Sequence, residues 1–280
     1  MNPLQRQIDT ISRVTPLAIR CADAAFGTVV TDLSVSAFNE KAPWKKVDAV
    51  LTPSGNHAFP TLPGLEDFIR GNGSAEAWSE AIERSYIVEI NDPLQRYLPC
   101  RLQVMAPCQG LYQWDMLTTI DSPVSAIHTL PLYPAPTYPA LPTEMAVTRA
   151  SLFDPVNKVA AAWAMIEVSV GTMFAKGFSD GSGNALVVFP LPEPADATEK
   201  NLRNQRWECS ISAYYSRFEP DSVPELHALN SQGSAYLWRQ WPPVDSGSAL
   251  TNFTARYGET AILKTDGYSY LYITNDGIHP

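Results

Sequence analysis

Twenty-four prolines in 280 residues, against fifteen glycines, narrow what this chain can fold into. Proline has no backbone N–H to donate, and its ring fixes φ, so it is excluded from helix interiors and central strands. So many prolines leave little room for a helical bundle. They favour short strands joined by stiff loops. The apolar spacing agrees. LAIRCADAA alternates apolar and polar residues, and TVVTDLSVSAF sets Leu33, Val35 and Ala37 on one side. WKKVDAVLT is closed by Pro53-Ser54-Gly55 and followed by HAFPTLPGL. YIVEI stops at Asn91-Asp92-Pro93, and LPCRLQVMAP alternates Cys100, Leu102, Val104 and Ala106.

MAVTRASLFD opens a second strand-rich block, with Ala146, Thr148, Ala150 and Leu152 on one side. In AAWAMIEVSV, Trp163, Met165, Glu167 and Ser169 face opposite to Ala164, Ile166, Val168 and Val170. NALVVFP, QRWECSISAYYS, TNFTARYGETAILKT and SYLYITN complete the set. Two stretches read differently. The opening to Thr15 spaces Leu4, Ile8 and Ile11 along one helix face, and SAEAWSEAIER reads as a short helix or an ordered loop crossing between sheets, with Ala77, Trp78 and Ile82 as its apolar side.

The clearest boundary is PVSAIHTLPLYPAPTYPALP, six prolines in twenty residues. Such a segment favours extended polyproline-type backbone and forms no ladder of its own. Leu130, Leu132, Tyr133 and Tyr138 make it too apolar for a solvated linker, so it reads as a strap lying on protein surface, its own or a partner's; the plainer alternative is a stiff interdomain spacer. The expected organisation is an arm or short helix over 1–15, a β-sandwich over 16–114, the Pro-rich strap over 115–142 and a second sandwich over 143–280. The fold class is all-β.

Twenty Lys and Arg against twenty-nine Asp and Glu give a formal charge of -9. An acidic chain without a basic run is a poor nucleic-acid binder and a poor ligand for anionic membranes. No segment is long and apolar enough to span a bilayer, and the start has no apolar core of a secretory signal. The expected location is the cytoplasm. Cys21, Cys100, Cys108 and Cys209 are scattered and read as free thiols.

The signals for chemistry are sparse. His57, His128, His227 and His279 form no metal-binding motif. No GxSxG elbow and no P-loop occurs. Asp180, Ser182 and Asn184 carry side-chain oxygens at alternate positions, as calcium loops do, but lack the closing bidentate acid. Glu66-Asp67, Asn91-Asp92 and Glu219-Asp221 sit at turns or loops, where acids serve conformation. No catalytic residue, cofactor or metal ligand is assigned. An enzyme would need a site assembled from scattered groups, such as His57 with two acids. The aromatics are more pointed. Tyr133, Tyr138, Tyr236, Trp238 and Trp241 lie outside the clear strands, and with Leu130 and Leu132 they are the interface candidates. On that reading Trp238→Ala and Tyr133→Ala leave the isolated fold intact. A carbohydrate- or receptor-binding sandwich is the alternative, and it predicts two or three exposed aromatics clustered on one face.

Two hairpins share a grammar. AVLTPSGNHAFPTLPGL and MFAKGFSDGSGNALVVFPLPEP each run strand, Thr or Ser-Asp, glycine turn, strand and Leu-Pro corner. Thr or Asp brackets the turn through side-chain to backbone bonds, and glycine supplies positive φ. Ser179, Asp180, Gly183, Ala185 and Val187 resemble the hairpin of the transthyretin-like, carboxypeptidase regulatory-like domains. That resemblance implies two Ig-like or transthyretin-like antiparallel sandwiches.

A second resemblance covers most of the chain. The order GTVVTDLSVSAF, TPSGNHAFPTLPGL, VEINDPLQRYLPCRLQVMAPCQGLY, Pro-rich strap, MAVTRASLFDPVNKVAAAWAMIEV and GFSDGSGNALVVFPLPEP resembles uncharacterised proteins that accompany bacterial contractile injection systems, which are phage-tail-like particles. It implies a non-catalytic component near the baseplate or an end of the sheath and tube. The implied partners are sheath, tube or baseplate subunits.

Overall fold

The computed structural model describes residues 14–70, 82–113, 129–139, 145–193 and 205–275, together with Ser74 and Trp78. The expected N-terminal helix and most of the one over 74–84 fall outside these residues, as do His128 and His279.

The strands, in chain order, are β1 (Leu17–Ile19), β2 (Cys21–Asp23), β3 (Ser34–Asn39), β4 (Ala42–Asp48), β5 (Val50–Leu51), β6 (His57–Phe59), β7 (Arg84–Asn91), β8 (Cys100–Ala106), β9 (Leu130–Leu132) and β10 (Met145–Asp154). They continue as β11 (Val159–Ala160), β12 (Met165–Val170), β13 (Met173–Phe178), β14 (Asn184–Pro190), β15 (Arg206–Tyr214), β16 (Ser234–Trp238), β17 (Asn252–Arg256), β18 (Thr260–Leu263) and β19 (Leu271–Asn275). The short helices α1 (Glu66–Arg70) and α2 (Leu226–Asn230) interrupt them. The protein is almost wholly β, as the proline content requires. Among the described residues no helix is long and apolar enough to cross a membrane.

The chain forms two compact units. The first takes in Met1–Arg20, Val35–Val88 and Gln103–Thr129; the second takes in Cys21–Ser34, Glu89–Leu102 and Leu130–Pro280. The chain therefore passes between units several times, and β7 and β8 each run from one into the other. In the first unit, β1, β6 and β5 form a three-stranded sheet, while β3 pairs with β4 across a bulge between Ala37 and Asn39. Leu17, Ile19, Ala37, Phe59, Leu62 and Tyr86 are among its buried side chains. The β5–β6 hairpin closes as its sequence predicts. The Asn56 amide donates to Thr52 Oγ1 at 3.0 Å, and Gly55 takes φ 79°.

The second unit is organised by β10. One edge of its early residues pairs antiparallel with β14, the other parallel with β18, while its last residues lie between β11 and β19. From β19 the pairing runs through β16, β15 and β12 to β13. The β13–β14 hairpin then brings the chain back beside β10. Inside lie Leu152, Ile166, Val168, Val187, Phe189, Ile211, Leu271 and Ile273, each from a strand whose alternation points it inward. Gly183 shapes the hairpin turn. Its φ is 81°, and a Cβ there would stand 2.5 Å from the Leu152 carbonyl oxygen.

The Pro-rich segment corrects one expectation. Within residues 129–139 it forms a ladder, with β9 paired in parallel to β2. Three further backbone bonds seat it: Leu98 donates to Tyr133, Ala135 to Arg96 and Ala24 to Leu132. Proline lacks one donor, yet Leu130 and Leu132 still supply donors and carbonyls on one edge.

Candidate binding surface

The side chains best suited to chemistry hold backbone in place. Asp23 is buried, and its Oδ1 accepts from the amides of Ala25 at 2.7 Å and Phe26 at 3.1 Å. Its Oδ2 accepts the hydroxyls of Tyr97 at 2.8 Å and Tyr138 at 2.6 Å. Burial, then the bond to Asp23, pushes the Tyr138 phenol up to about 12 and the Tyr97 phenol beyond the usual tyrosine range. Beside this node Arg96 bridges Asp92, at 2.9 Å, and Asp32, at 2.8 Å. Burial alone would raise the Asp92 carboxyl. Hydrogen bonds from the Arg96 guanidinium and the amides of Leu94 and Arg96 outweigh it and hold that carboxyl below the ordinary range.

Asp154 caps its own turn, accepting the amides of Val156 and Asn157 at 3.0 Å each. Ser179 Oγ donates to the Ala161 carbonyl at 2.7 Å and accepts the Ala164 amide at 2.9 Å. Asp180 Oδ1 accepts the amides of Ser182 and Asn184 at 2.9 Å each, so it braces the hairpin; Asn184 Oδ1 accepts from Ser151. The Asp180 and Asn184 oxygens of the alternate set are thus engaged by the fold. Among the described residues no group of three His, Cys, Asp or Glu side chains stands together as metal ligands. His57 is buried in β6, while His227 is exposed on α2. Cys21, Cys100 and Cys209 are buried free thiols, and burial pushes the Cys100 thiol up to about 12. Such thiols are inert.

The interface candidates divide. Leu130, Leu132, Tyr133 and Trp238 are buried within their own chain. Leu130 and Leu132 are turned inward by the β9 pairing, and the Tyr133 ring packs edge-on against Phe178 at 4.7 Å. Tyr138 is half-buried, pinned to Asp23 and edge-on to Tyr97 at 5.6 Å. Tyr236 stays exposed and Trp241 half-exposed. Tyr236 and Trp238 also lie inside β16, not outside the strands. There Leu237 takes the core position and its two neighbours face outward.

That outward face is the most distinctive surface of the second unit. Trp238 stands opposite Tyr272 in the antiparallel β16–β19 pair, and Phe153 stands opposite Tyr272 in the parallel β10–β19 pair. Three strands therefore lay Phe153, Tyr272 and Trp238 in one row. Two loops add Trp241, Tyr268 and Tyr270. Ring centroids lie 5.6 Å apart for Tyr236–Trp238, 6.1 Å for Trp238–Trp241, 5.7 Å for Trp241–Tyr272, 4.7 Å for Tyr268–Tyr272 and 5.3 Å for Phe153–Tyr270. Edge-to-face and tilted contacts of this kind are each worth about 0.5–1.5 kcal/mol beyond area burial.

The supporting loops are tied down. Thr265 Oγ1 donates to the Trp238 carbonyl at 2.7 Å and accepts the Tyr272 amide at 2.9 Å. The Asp266 amide donates to the Arg239 carbonyl at 2.7 Å, and Trp238 Nε1 to Thr274 Oγ1 at 2.9 Å. Tyr236 is 42% exposed, Tyr268 41% and Tyr270 48%. Sequence reasoning missed Phe153, Tyr268, Tyr270 and Tyr272. The alternation in SYLYITN carried part of the signal, since Leu271 and Ile273 at core positions turn Tyr270 and Tyr272 outward.

No protein-family model matches the chain, and no curated protein matches it. Among solved structures it is similar to the shaft pilin SpaA from Lactobacillus rhamnosus GG. That pilin is 10% identical over 95% of this chain and 99% of its own, with a TM-score of 0.21. A point mutant of it gives 10% identity over 95% and 100%, with a TM-score of 0.23. Scores this low carry no argument.

Proposed function

We propose that this chain is a non-catalytic structural or assembly subunit of a large particle. The phage-tail-like contractile injection particle, whose accompanying proteins its layout resembles, is the setting we assign. One observation carries the non-catalytic part of the reading. Four groups fit for acid–base or nucleophilic work, Asp23, Asp92, Asp154 and Ser179, are bound to amides, carbonyls and tyrosine or arginine side chains that fix loops. We read the units as Ig-like or transthyretin-like sandwiches on the strength of the hairpins at Gly55 and Gly183.

The contact surface we assign lies on the first unit. Trp44 is 77% exposed, Val50 56% and Leu51 48%, on consecutive strands. Exposed large apolar groups with a tryptophan among them are what an assembly interface buries. Sedimentation of a native lysate, with mass spectrometry of the pellet, tests the reading. Co-sedimentation with sheath and tube subunits is expected, and the double variant Trp44→Ser, Leu51→Ser should cut it at least tenfold while the chain stays folded. A chain that stays in the supernatant at monomer mass overturns it.

A further inference from the structure

We propose that the aromatic face of the second unit is a binding site for a neutral oligosaccharide. This goes beyond the assembly role and holds whether or not the chain enters a particle. Four observations carry it. First, the face is built largely of rings, Phe153, Tyr236, Trp241, Tyr268, Tyr270 and Tyr272, around the buried Trp238 and the Thr274 hydroxyl that accepts its indole N–H. A pyranose ring has a face of polarised C–H bonds and an edge of hydroxyls. The first complements the negative face of an aromatic ring, and the second complements phenol hydroxyls, which donate and accept.

Second, the area is small. Aromatic side chains present about 150–250 Å² each, so rings just under half exposed offer on the order of 100 Å² apiece. With three such rings and the half-buried ones beside them, the row offers roughly 400 Å². A stable protein interface needs about 800 Å² on each partner. Taken by itself, the ring row falls short of that and matches a ligand of a few sugar units.

Third, none of these side chains is charged, and the chain carries -9 overall. Arg239, next to Trp238, has its guanidinium on the Asn252 carbonyl at 3.0 Å. Neutral ligands are favoured and anionic polymers repelled. Fourth, the loops are already ordered by the Thr265 and Asp266 bonds, so binding costs little side-chain or loop freedom.

The test uses the full chain on an array of neutral oligosaccharides, built from glucose, mannose, galactose and N-acetylglucosamine, beside sialylated and sulfated ones. The strongest soluble ligand is then titrated by tryptophan fluorescence. Binding to neutral members is expected. Tyr268→Ala with Tyr270→Ala should weaken it at least tenfold, while Trp44→Ser leaves it unchanged. No binding to any glycan, binding to acidic members only, or binding indifferent to the double variant overturns the proposal. Circular dichroism checks the fold, and Tyr270→Ala alone, at an exposed position, keeps the test readable if the double variant unfolds.

Discussion

Trp44 and Trp238 both stand within strands, yet one is 77% exposed and the other 3%. β4 lies at the edge of its sheet, and none of its seven residues is buried. Pro43, Lys45, Lys46 and the bulge against β3 blunt that edge against strand addition. β16 lies between β15 and β19, and on its outward side Trp238 is packed between its strand neighbour Tyr236, Trp241 and the Thr265 loop. A strand's alternation decides which side faces the core. Whether the other side meets water depends on what the loops bring over it.

The largest test of that contrast is Trp238→Ala. Removing a buried tryptophan side chain costs about 3–5 kcal/mol, so denaturant unfolding should shift strongly, against the sequence expectation that the fold survives intact. A neutral result would mean the ring row is not packed as described. Asp23→Asn comes next. One oxygen then becomes a donor facing phenol hydroxyls, and leaving a buried group unsatisfied costs about 1–3 kcal/mol in chemical denaturation.

Acid should act more gently through Asp92. Its folded carboxyl lies below the ordinary value, so the stability it adds is complete above the unfolded pKa near about 3.9. That increment is lost as pH falls through the lower folded value. Arg96→Met should therefore flatten the stability profile between about pH 5 and 2, and equal slopes in both proteins would refute the role of Arg96. Tyr270→Ala, half exposed and packed on Phe153, should cost about 0.5–1.5 kcal/mol, and smallest of all, Trp44→Ser should change unfolding free energy by no more than about 0.5 kcal/mol, because that side chain is largely in water. A loss comparable to that of Trp238→Ala would erase the distinction between the two surfaces.

Much of this was legible where the signal is local. The alternation of Cys100, Leu102, Val104 and Ala106 matches their burial along β8, and Ile166, Val168 and Val170 face the core as their spacing predicts. The Thr52 and Asp180 turns close with the bonds their residue types imply. What the sequence concealed is non-local. Nothing near Phe153 announces that it will stand beside Tyr272, because that depends on a parallel pairing between distant strands. Tyr133 and Leu132 looked available because prolines surround them, and the β2 edge that receives this segment lies far back in the chain. Trp163 was placed on a regular strand face; it precedes β12 with φ 62° and is buried.

The long strand β10 has a consequence for biosynthesis. Its antiparallel neighbour β14 follows soon after it, but its parallel neighbours begin only at Thr260. While a ribosome makes the intervening residues, one edge of β10 has no partner from its own chain, with Ala146, Ala150 and Leu152 still uncovered by β18 and β19. Pairings this distant in sequence form slowly, and an open apolar edge invites association with other nascent chains. Slower translation or a holding chaperone should therefore raise the soluble yield of this protein more than that of a chain whose strands pair in order.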